Sequence, residues 1–277
     1  MKLERLLNAA RERLGELPSG ALEAELLLAH ALDAPRSFLY AHPESDLPDG
    51  RVARFEQLLS RRLTGEPIAY LTGRRAFWTL DLEVTPDVLI PRHETELLVE
   101  CALAVIPPEM ETRVADIGTG SGAIALALAR ERPEATVHAS DISPAALDLA
   151  RRNARHHGLE NVDFRLGSWC KPLDGLYSVI VSNPPYVDRD DPYLSAGDCR
   201  FEPRLALTPG PDGLAAIRAL CVQVPGRLEV GGWLMLEHGH QQGPQVRQLL
   251  HRSGFAEIET HRDLASHERV TSGRWSA

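Results

Sequence analysis

The sequence predicts an α/β protein in which a largely parallel sheet, covered by helices on both faces, follows a small helical domain. Three observations predict it. From residue 113 onward strand-like and helix-like stretches alternate; a glycine-rich turn joins the first of those strands to the first of those helices; and residues 1–73 carry helical periodicity with no strand pattern.

Within 1–73, Ser19 is placed to cap a helix whose segment "ALEAELLLAHAL" sets Leu22, Leu26 and Ala29 on one face. "RVARFEQLLSRRL" repeats the amphipathic pattern before Gly65-Glu66-Pro67 breaks it. Residues 74–90 read as a β-hairpin linker: Leu80, Leu82 and Val84 alternate with Asp81 and Glu83, and Pro86-Asp87 supplies a turn. The third domain, 91–277, is expected to hold strands at 113–117, 136–140, 162–166 and 177–182, and helices at 122–131 and 144–157. After Gly213 a helical stretch leads to Gly231-Gly232, the strand "WLMLEHG", a helix near 244–252 and short β-like runs at 256–260 and 268–274.

Composition narrows the function. The chain is 43% hydrophobic with a net charge of −9, an ordinary globular balance that lacks the basic footprint a nucleic-acid backbone favours. The opening "MKLERLLNAARERLGELP" has no signal-peptide core, and no run approaches the ~18 apolar residues of a membrane span. Cys101, Cys170, Cys199 and Cys221 form no C-x-x-C pair, so neither a zinc knuckle nor a disulfide framework is indicated and a cytoplasmic location is expected.

"VADIGTGSGAIALALA" places Gly118-Thr119-Gly120-Ser121-Gly122 between strand and helix, where glycines let the backbone approach a ligand and the helix presents unpaired N–H groups. Asp116 ends the strand before the loop, and Asp141 ends the next strand, 19 residues past Gly122. An acidic side chain there accepts hydrogen bonds from ribose hydroxyls, which indicates an adenosine cofactor. A nicotinamide nucleotide fits less well: the loop is not G-x-G-x-x-G, and Asp116 would repel a pyrophosphate while suiting a cationic amino group. S-adenosylmethionine carries that ammonium, a sulfonium and no phosphate.

The run "VIVSNPPY" ends a buried strand in a rigid turn, since neither proline has an N–H to donate. A planar –NH2 attacks a methyl sulfonium poorly unless it is held as it pyramidalises and becomes positive. Asn183 offers a side-chain oxygen to one N–H, the Pro184 carbonyl is aimed at the other, Pro185 helps fix the turn, and Tyr186 supplies a flat face for stacking. Carboxamide, adenine and cytosine pose the same electronic problem, so the tetrapeptide states the chemistry and leaves the substrate open.

These motifs, together with "GEPIAYLTGRRAFW", "VLIPRHETELLVE", "GDCRFEP" and "LEHGHQQG", resemble the peptide chain release factor glutamine N5-methyltransferases over nearly the whole chain. The resemblance implies a Rossmann-like class I methyltransferase sheet of seven strands, S-adenosylmethionine as donor, and the glutamine of the Gly-Gly-Gln loop of release factors 1 and 2 as acceptor. It assigns Gly118, Thr119, Gly120, Ser121, Gly122, Asp141, Trp169 and Asn183 to the cofactor, and Asn183, Pro184, Pro185 and Tyr186 to the substrate amide. It makes 1–73 a substrate-docking domain of a monomer with no metal and no nucleic-acid partner. His93 departs from the family's usual proline, and Ser168-Trp169-Cys170 from a run that begins with aspartate.

Two other functions compete. A nucleic-acid adenine N6-methyltransferase shares the tetrapeptide but calls for a target-recognition region and a basic cleft. A binding module that has lost turnover would not need Asn183 through Tyr186 intact. His156-His157 and His238-Gly239-His240 lack a convergent third ligand and are expected at the surface or in loops. Arg61-Arg62 and Arg74-Arg75 are expected as solvated helix or linker ends or as part of a docking surface, and Arg92, Glu94 and Glu96 as a capping and ion-pair device or as neighbours of the cofactor cleft.

Overall fold

The structure is a computed structural model that describes residues 1–15 and 17–276. Contacts divide the chain into two compact units, Met1–Arg74 and Arg75–Ala277.

The first unit is helical: α1 (Leu3–Arg13), α2 (Gly20–Leu32), α3 (Arg36–Ala41), α4 (Asp49–Leu63) and α5 (Ile68–Thr72). Leu3, Leu6, Leu7 and Ala10 of α1 and Phe55, Leu58 and Leu59 of α4 recur at helical spacing and share one core. On α2 the buried face is Ala24, Leu27, Leu28 and Ala31, so the expected stripe is rotated and Leu22 lies 41% exposed. Being apolar almost all round, α2 gives a weak periodic signal. Ser19 stands at the N-cap position without capping: its hydroxyl donates to Glu23 Oε1 at 2.9 Å. Glu23 also binds Arg62 Nε at 2.7 Å, which makes Arg62 part of an inward-facing ion pair rather than a solvated end.

A hairpin, β1 (Arg74–Phe77) and β2 (Leu80–Glu83), follows, closed at Trp78-Thr79; Pro86-Asp87 forms the expected turn beyond it, with Val88 N donating to the Thr85 carbonyl at 3.2 Å. No Asn-Gly pair marks the turn at Trp78-Thr79. Trp78 takes φ 55, its N–H donates to Glu96 and its indole to Glu131. Phe77, Leu80 and Leu82 belong to the main core, so the segment is built into the second unit and is more than a linker.

Next come α6 (Glu96–Val105), β3 (Arg113–Ile117), α7 (Ala123–Glu131), β4 (Thr136–Asp141), α8 (Pro144–His157), β5 (Val162–Leu166) and β6 (Tyr177–Ser182). α9 (Arg204–Leu207), α10 (Ala215–Gln223), β7 (Leu228–Glu237), α11 (Gly243–Arg252), β8 (Phe255–Arg262) and β9 (Glu268–Trp275) follow. β7 starts earlier than "WLMLEHG" suggests, and β8 is longer than its expected run. The seven-stranded sheet has the order β5-β4-β3-β6-β7-β9-β8, parallel from β5 to β7, with β9 antiparallel to both β7 and β8. Val114, Val179, Val181 and Met235 meet α6 and α7 on one face; Ala115, Ile180, Leu234 and Leu236 meet α10 and α11 on the other. Since β3 lies between β4 and β6, the strand order reverses there, and a crevice opens outside the carboxyl ends.

Candidate active site

The carboxyl ends of β3, β4, β5, β6 and β7 run into Gly118, Asp141, Gly167-Ser168-Trp169, Asn183 and Glu237, so strand direction alone brings five distant sequence positions to one rim. A cavity of about 530 Å³ opens there. Gly118, Thr119, Gly120, Ser121, Asp141, Trp169, Asn183 and Pro185 line it; Gly122, Pro184 and Tyr186 do not.

The glycine loop is held from below. Gly118 N and Thr119 N donate to the Ser140 carbonyl at 2.8 and 2.9 Å, and Asn153 Nδ2 donates to the Ser121 carbonyl at 2.9 Å. Gly120 (φ 56) faces open space where a Cβ would stand, whereas at Gly122 (φ 88) a Cβ would come within 3.1 Å of Leu126 Cδ1 and 3.2 Å of Ala150 Cβ. One glycine therefore keeps the cavity open and the other lets α7 and α8 pack.

Asp116 is fully buried, with Oδ2 accepting from the Thr119 hydroxyl at 2.7 Å and from Ala125 N at 3.2 Å. Its Oδ1 has no hydrogen-bond partner among the described residues. Burial lifts its pKa to about 7, against the two hydrogen bonds. Asp141 accepts from Gly120 N through Oδ2 and from Ser143 N through Oδ1, each at 2.9 Å. A carboxylate oxygen takes more than one donor, so both retain capacity for ribose hydroxyls. The backbone cradle of the glycine loop and the half-buried Asp141 on the rim fit the adenosine part of S-adenosylmethionine, whereas Asp116, expected to suit its ammonium, is fully buried and does not line the cavity.

Asn183 donates through Nδ2 to Thr95 Oγ1 at 3.1 Å. With Nδ2 on Thr95, Oδ1, the acceptor, is the end of the amide without a hydrogen-bond partner among the described residues. Tyr186 is turned away from the cavity, its hydroxyl donating to Glu237 Oε1 at 3.2 Å and its carbonyl accepting from Gln242 Nε2 at 3.0 Å. The expected stacking face is thus a hydroxyl anchor here. Burial, and then the adjacent Glu237, push the Tyr186 pKa well up.

Other groups meet around the rim, some of them, such as Arg75, Arg92 and His238, already singled out in the sequence. Glu202, wholly buried, accepts from Ile90 N at 3.0 Å and pairs with Arg92, tying the segment before α6 to the loop after Asn183. Thr95 and Glu237 likewise touch the tetrapeptide from far away in the chain. Arg75, half-buried, donates Nε to the Pro91 carbonyl at 3.0 Å. His238 is buried, against expectation, and shares a hydrogen bond with Thr271 Oγ1 at 2.7 Å.

Residues 93–197 match the family model of the methyltransferase small domain. Among solved structures, a 16S rRNA methyltransferase from T. Thermophilus in complex with AdoMet and guanosine overlays with a TM-score of 0.55 at 19% identity, covering 73% of this chain and 49% of that one. Fold and site together define a class I S-adenosylmethionine-dependent methyltransferase. Residues 5–73 match the PrmC N-terminal domain model. The release factor glutamine methyltransferase of Xylella fastidiosa (strain Temecula1) is 52% identical, covering 97% of this chain and 96% of its own; that of Pseudomonas aeruginosa is 51% identical, covering 95% and 96%. This chain belongs to the release factor glutamine methyltransferase family.

Proposed function

We propose that this chain methylates the side-chain amide nitrogen, N5, of the glutamine in the Gly-Gly-Gln loop of peptide chain release factors 1 and 2, in support of translation termination. Bound S-adenosylmethionine supplies an electrophilic methyl group. The observation that carries the reading is the orientation of Asn183, whose Nδ2 is occupied by Thr95 so that an acceptor faces the cavity. A carboxamide nitrogen becomes positive only as the methyl arrives, and an acceptor already in place stabilises that charge more than it stabilises the bound substrate. The two successive prolines, of which Pro185 lines the cavity, restrict φ and so fix the turn that carries Asn183 to it. Asp141 and the Gly118–Gly122 loop hold the adenosine part, with Trp169 beside it. The first unit is the docking surface for the release factor: the groups assigned to chemistry all lie in the second, while the N-terminal family model spans 5–73. No helix among the described residues is long and apolar enough to cross a membrane; a cytoplasmic monomer acting on the release factor is part of this reading.

The test is to incubate the full chain with isotopically labelled S-adenosylmethionine and, in separate reactions, release factor or DNA, and to map the label by mass spectrometry. Label on the tripeptide glutamine is the expected result. Label on adenine would overturn the substrate, and cofactor binding without label on either would reduce the protein to a binding module.

A further inference from the structure

The geometry points to Gln242 as a positioning residue for methyl transfer, which holds the main chain of the Asn183–Tyr186 turn so that Asn183 stands where the substrate amide meets the methyl group. This rests on the function proposed above. Gln242 is the N-cap of α11, 56 residues from Tyr186, and does not line the cavity, so it acts only through its neighbours. Its side-chain amide bridges two backbone groups: Oε1 accepts from Gly239 N at 2.8 Å, and Nε2 donates to the Tyr186 carbonyl at 3.0 Å.

The middle of the turn offers no backbone donor, because neither Pro184 nor Pro185 has an N–H. Three side-chain hydrogen bonds hold it instead: Asn183 Nδ2 to Thr95 Oγ1 at 3.1 Å, the Tyr186 hydroxyl to Glu237 Oε1 at 3.2 Å, and Gln242 Nε2 to the Tyr186 carbonyl. The first two end on side chains of the turn, and the third alone grips its main chain. Two successive prolines restrict φ, so the turn moves as one piece. A displacement at Tyr186 is carried back to Asn183 instead of being absorbed between them.

The Tyr186 carbonyl is closely confined. Gln242 is fixed before it reaches that oxygen: its backbone N–H donates to the Gly239 carbonyl at 2.8 Å, which together with the Oε1 bond closes the Gly239–Gln242 turn twice. With Oε1 taken by an N–H, the donor end of the amide is left for Tyr186. Gly213 (φ 64) packs against the same bond, where a Cβ would come within 2.3 Å of the Tyr186 oxygen and 2.8 Å of Gln242 Nε2. Only a residue without a side chain passes so close. Beyond Tyr186 the chain joins a wall of the cavity, Val187 N donating to the Leu207 carbonyl at 2.9 Å beside Leu205, Ala206 and Thr208, which line it. The carbonyl therefore lies where the turn and that wall meet, and its place decides how Asn183 stands towards the glycine loop. A tie that served stability alone would, when cut, loosen the fold and weaken both ligands together. Loss of a positioning bond falls on the rate, since misplacing a reacting group by about 1 Å costs on the order of 10²-fold.

The experiment uses the full chain in single-turnover methylation of release factor, with S-adenosylmethionine saturating and release factor varied. Gln242→Glu is nearly isosteric, keeps an acceptor for Gly239 N and turns an oxygen towards the Tyr186 carbonyl. The saturating rate should fall on the order of 10–100-fold, with the half-saturating release factor concentration and the calorimetric Kd for S-adenosylmethionine within about threefold of the parent. In an Asn183→Ala background the same change should have no further effect, because moving the turn then moves no acceptor. An unchanged rate, a rate lost in step with both affinities, or a loss that simply adds to that of Asn183→Ala would overturn the proposal. If Gln242→Glu does not fold, Gln242→Met, which keeps the length of the side chain and makes neither bond, takes its place with the same outcomes. A readout free of turnover separates this from the substrate assignment. With S-adenosylmethionine bound and no acceptor present, the Asn183 side-chain amide signal in NMR, identified by its absence from Asn183→Ala, should shift in the Gln242 variant. A shifted signal supports the proposal even if the release factor proves to be the wrong substrate, and an unmoved one overturns it.

Discussion

On the proposed function, Asp141 serves binding and Asn183 chemistry, although both stand at strand ends on the same rim. Asp141 already orders the site through Gly120 N and Ser143 N, so its removal takes away the ribose acceptor and also loosens the loop that carries the cofactor. Asp141→Ala is expected to weaken S-adenosylmethionine binding by at least ~1.5–3 kcal/mol, the range of a hydrogen bond to a charged group, as measured by calorimetry. Asn183→Ala should leave that affinity nearly intact and lower kcat on the order of 10²–10³-fold, as loss of one preorganised polar group at a charge-developing atom does. A reversed pattern, with Asn183 governing affinity and Asp141 governing kcat, would assign the two side chains the wrong way round. Asp141 and Asn183 were legible in the sequence because each sits at the end of an apolar run beside residues of restricted geometry. Thr95 and Glu237 were not, since nothing local to either indicates that one would reach Asn183 and the other Tyr186.

At the scale of elements, the glycine loop shows that one motif can do two jobs. Gly122 takes φ 88 with Leu126 and Ala150 against its Cα, so Gly122→Ala combines left-handed strain with a packing clash. We expect it to destabilise the fold by ~1–3 kcal/mol in urea denaturation. Gly120→Ala has the same kind of backbone strain but open space around the new methyl, which projects where the cofactor is expected to lie. It should cost ~1 kcal/mol of stability and weaken cofactor affinity by a larger factor. Finding Gly120→Ala the more destabilising and Gly122→Ala the more damaging to binding would refute this division. The strands of the central sheet were readable because strands buried on both faces are continuous apolar runs. α6 was not, since "ELLVECALAV" is apolar on nearly every side and carries little period, and the hairpin turn at Trp78-Thr79 lacks the residues that announce a tight turn.

For the whole molecule, the position of the hairpin decides where the chain can be cut. Phe77, Leu80 and Leu82 are buried in the core of the second unit, and Asn153 on α8 accepts from Glu83 N at 2.8 Å while donating to the Glu83 carbonyl at 3.0 Å. A fragment beginning at residue 86 lacks these groups and should fail to give a cooperative thermal transition. The fragment 75–277 retains them and is expected to fold and to bind S-adenosylmethionine. It should methylate a short Gly-Gly-Gln peptide as well as the full chain does, but intact release factor with a clearly lower kcat/KM, because the proposed docking surface is gone. Equal kcat/KM on intact release factor would remove the first unit from substrate recognition.

The sequence by itself determined the helical beginning, the alternation that makes the parallel sheet, the glycine loop, and a tetrapeptide whose electronic logic calls for a planar nitrogen. All of these are local: periodicity, proline and glycine geometry, and residues placed at strand ends act over a few positions. Which groups stand behind that tetrapeptide was decided only in the folded chain. Thr95 comes from the turn before α6, Glu237 from the end of β7 and Glu202 from the loop after β6, and they converge because parallel strands all deliver their carboxyl ends to one edge. Burial then does what no sequence pattern encodes, removing water from Glu237 and Asp116 and so lifting the pKa of each carboxyl to about 7.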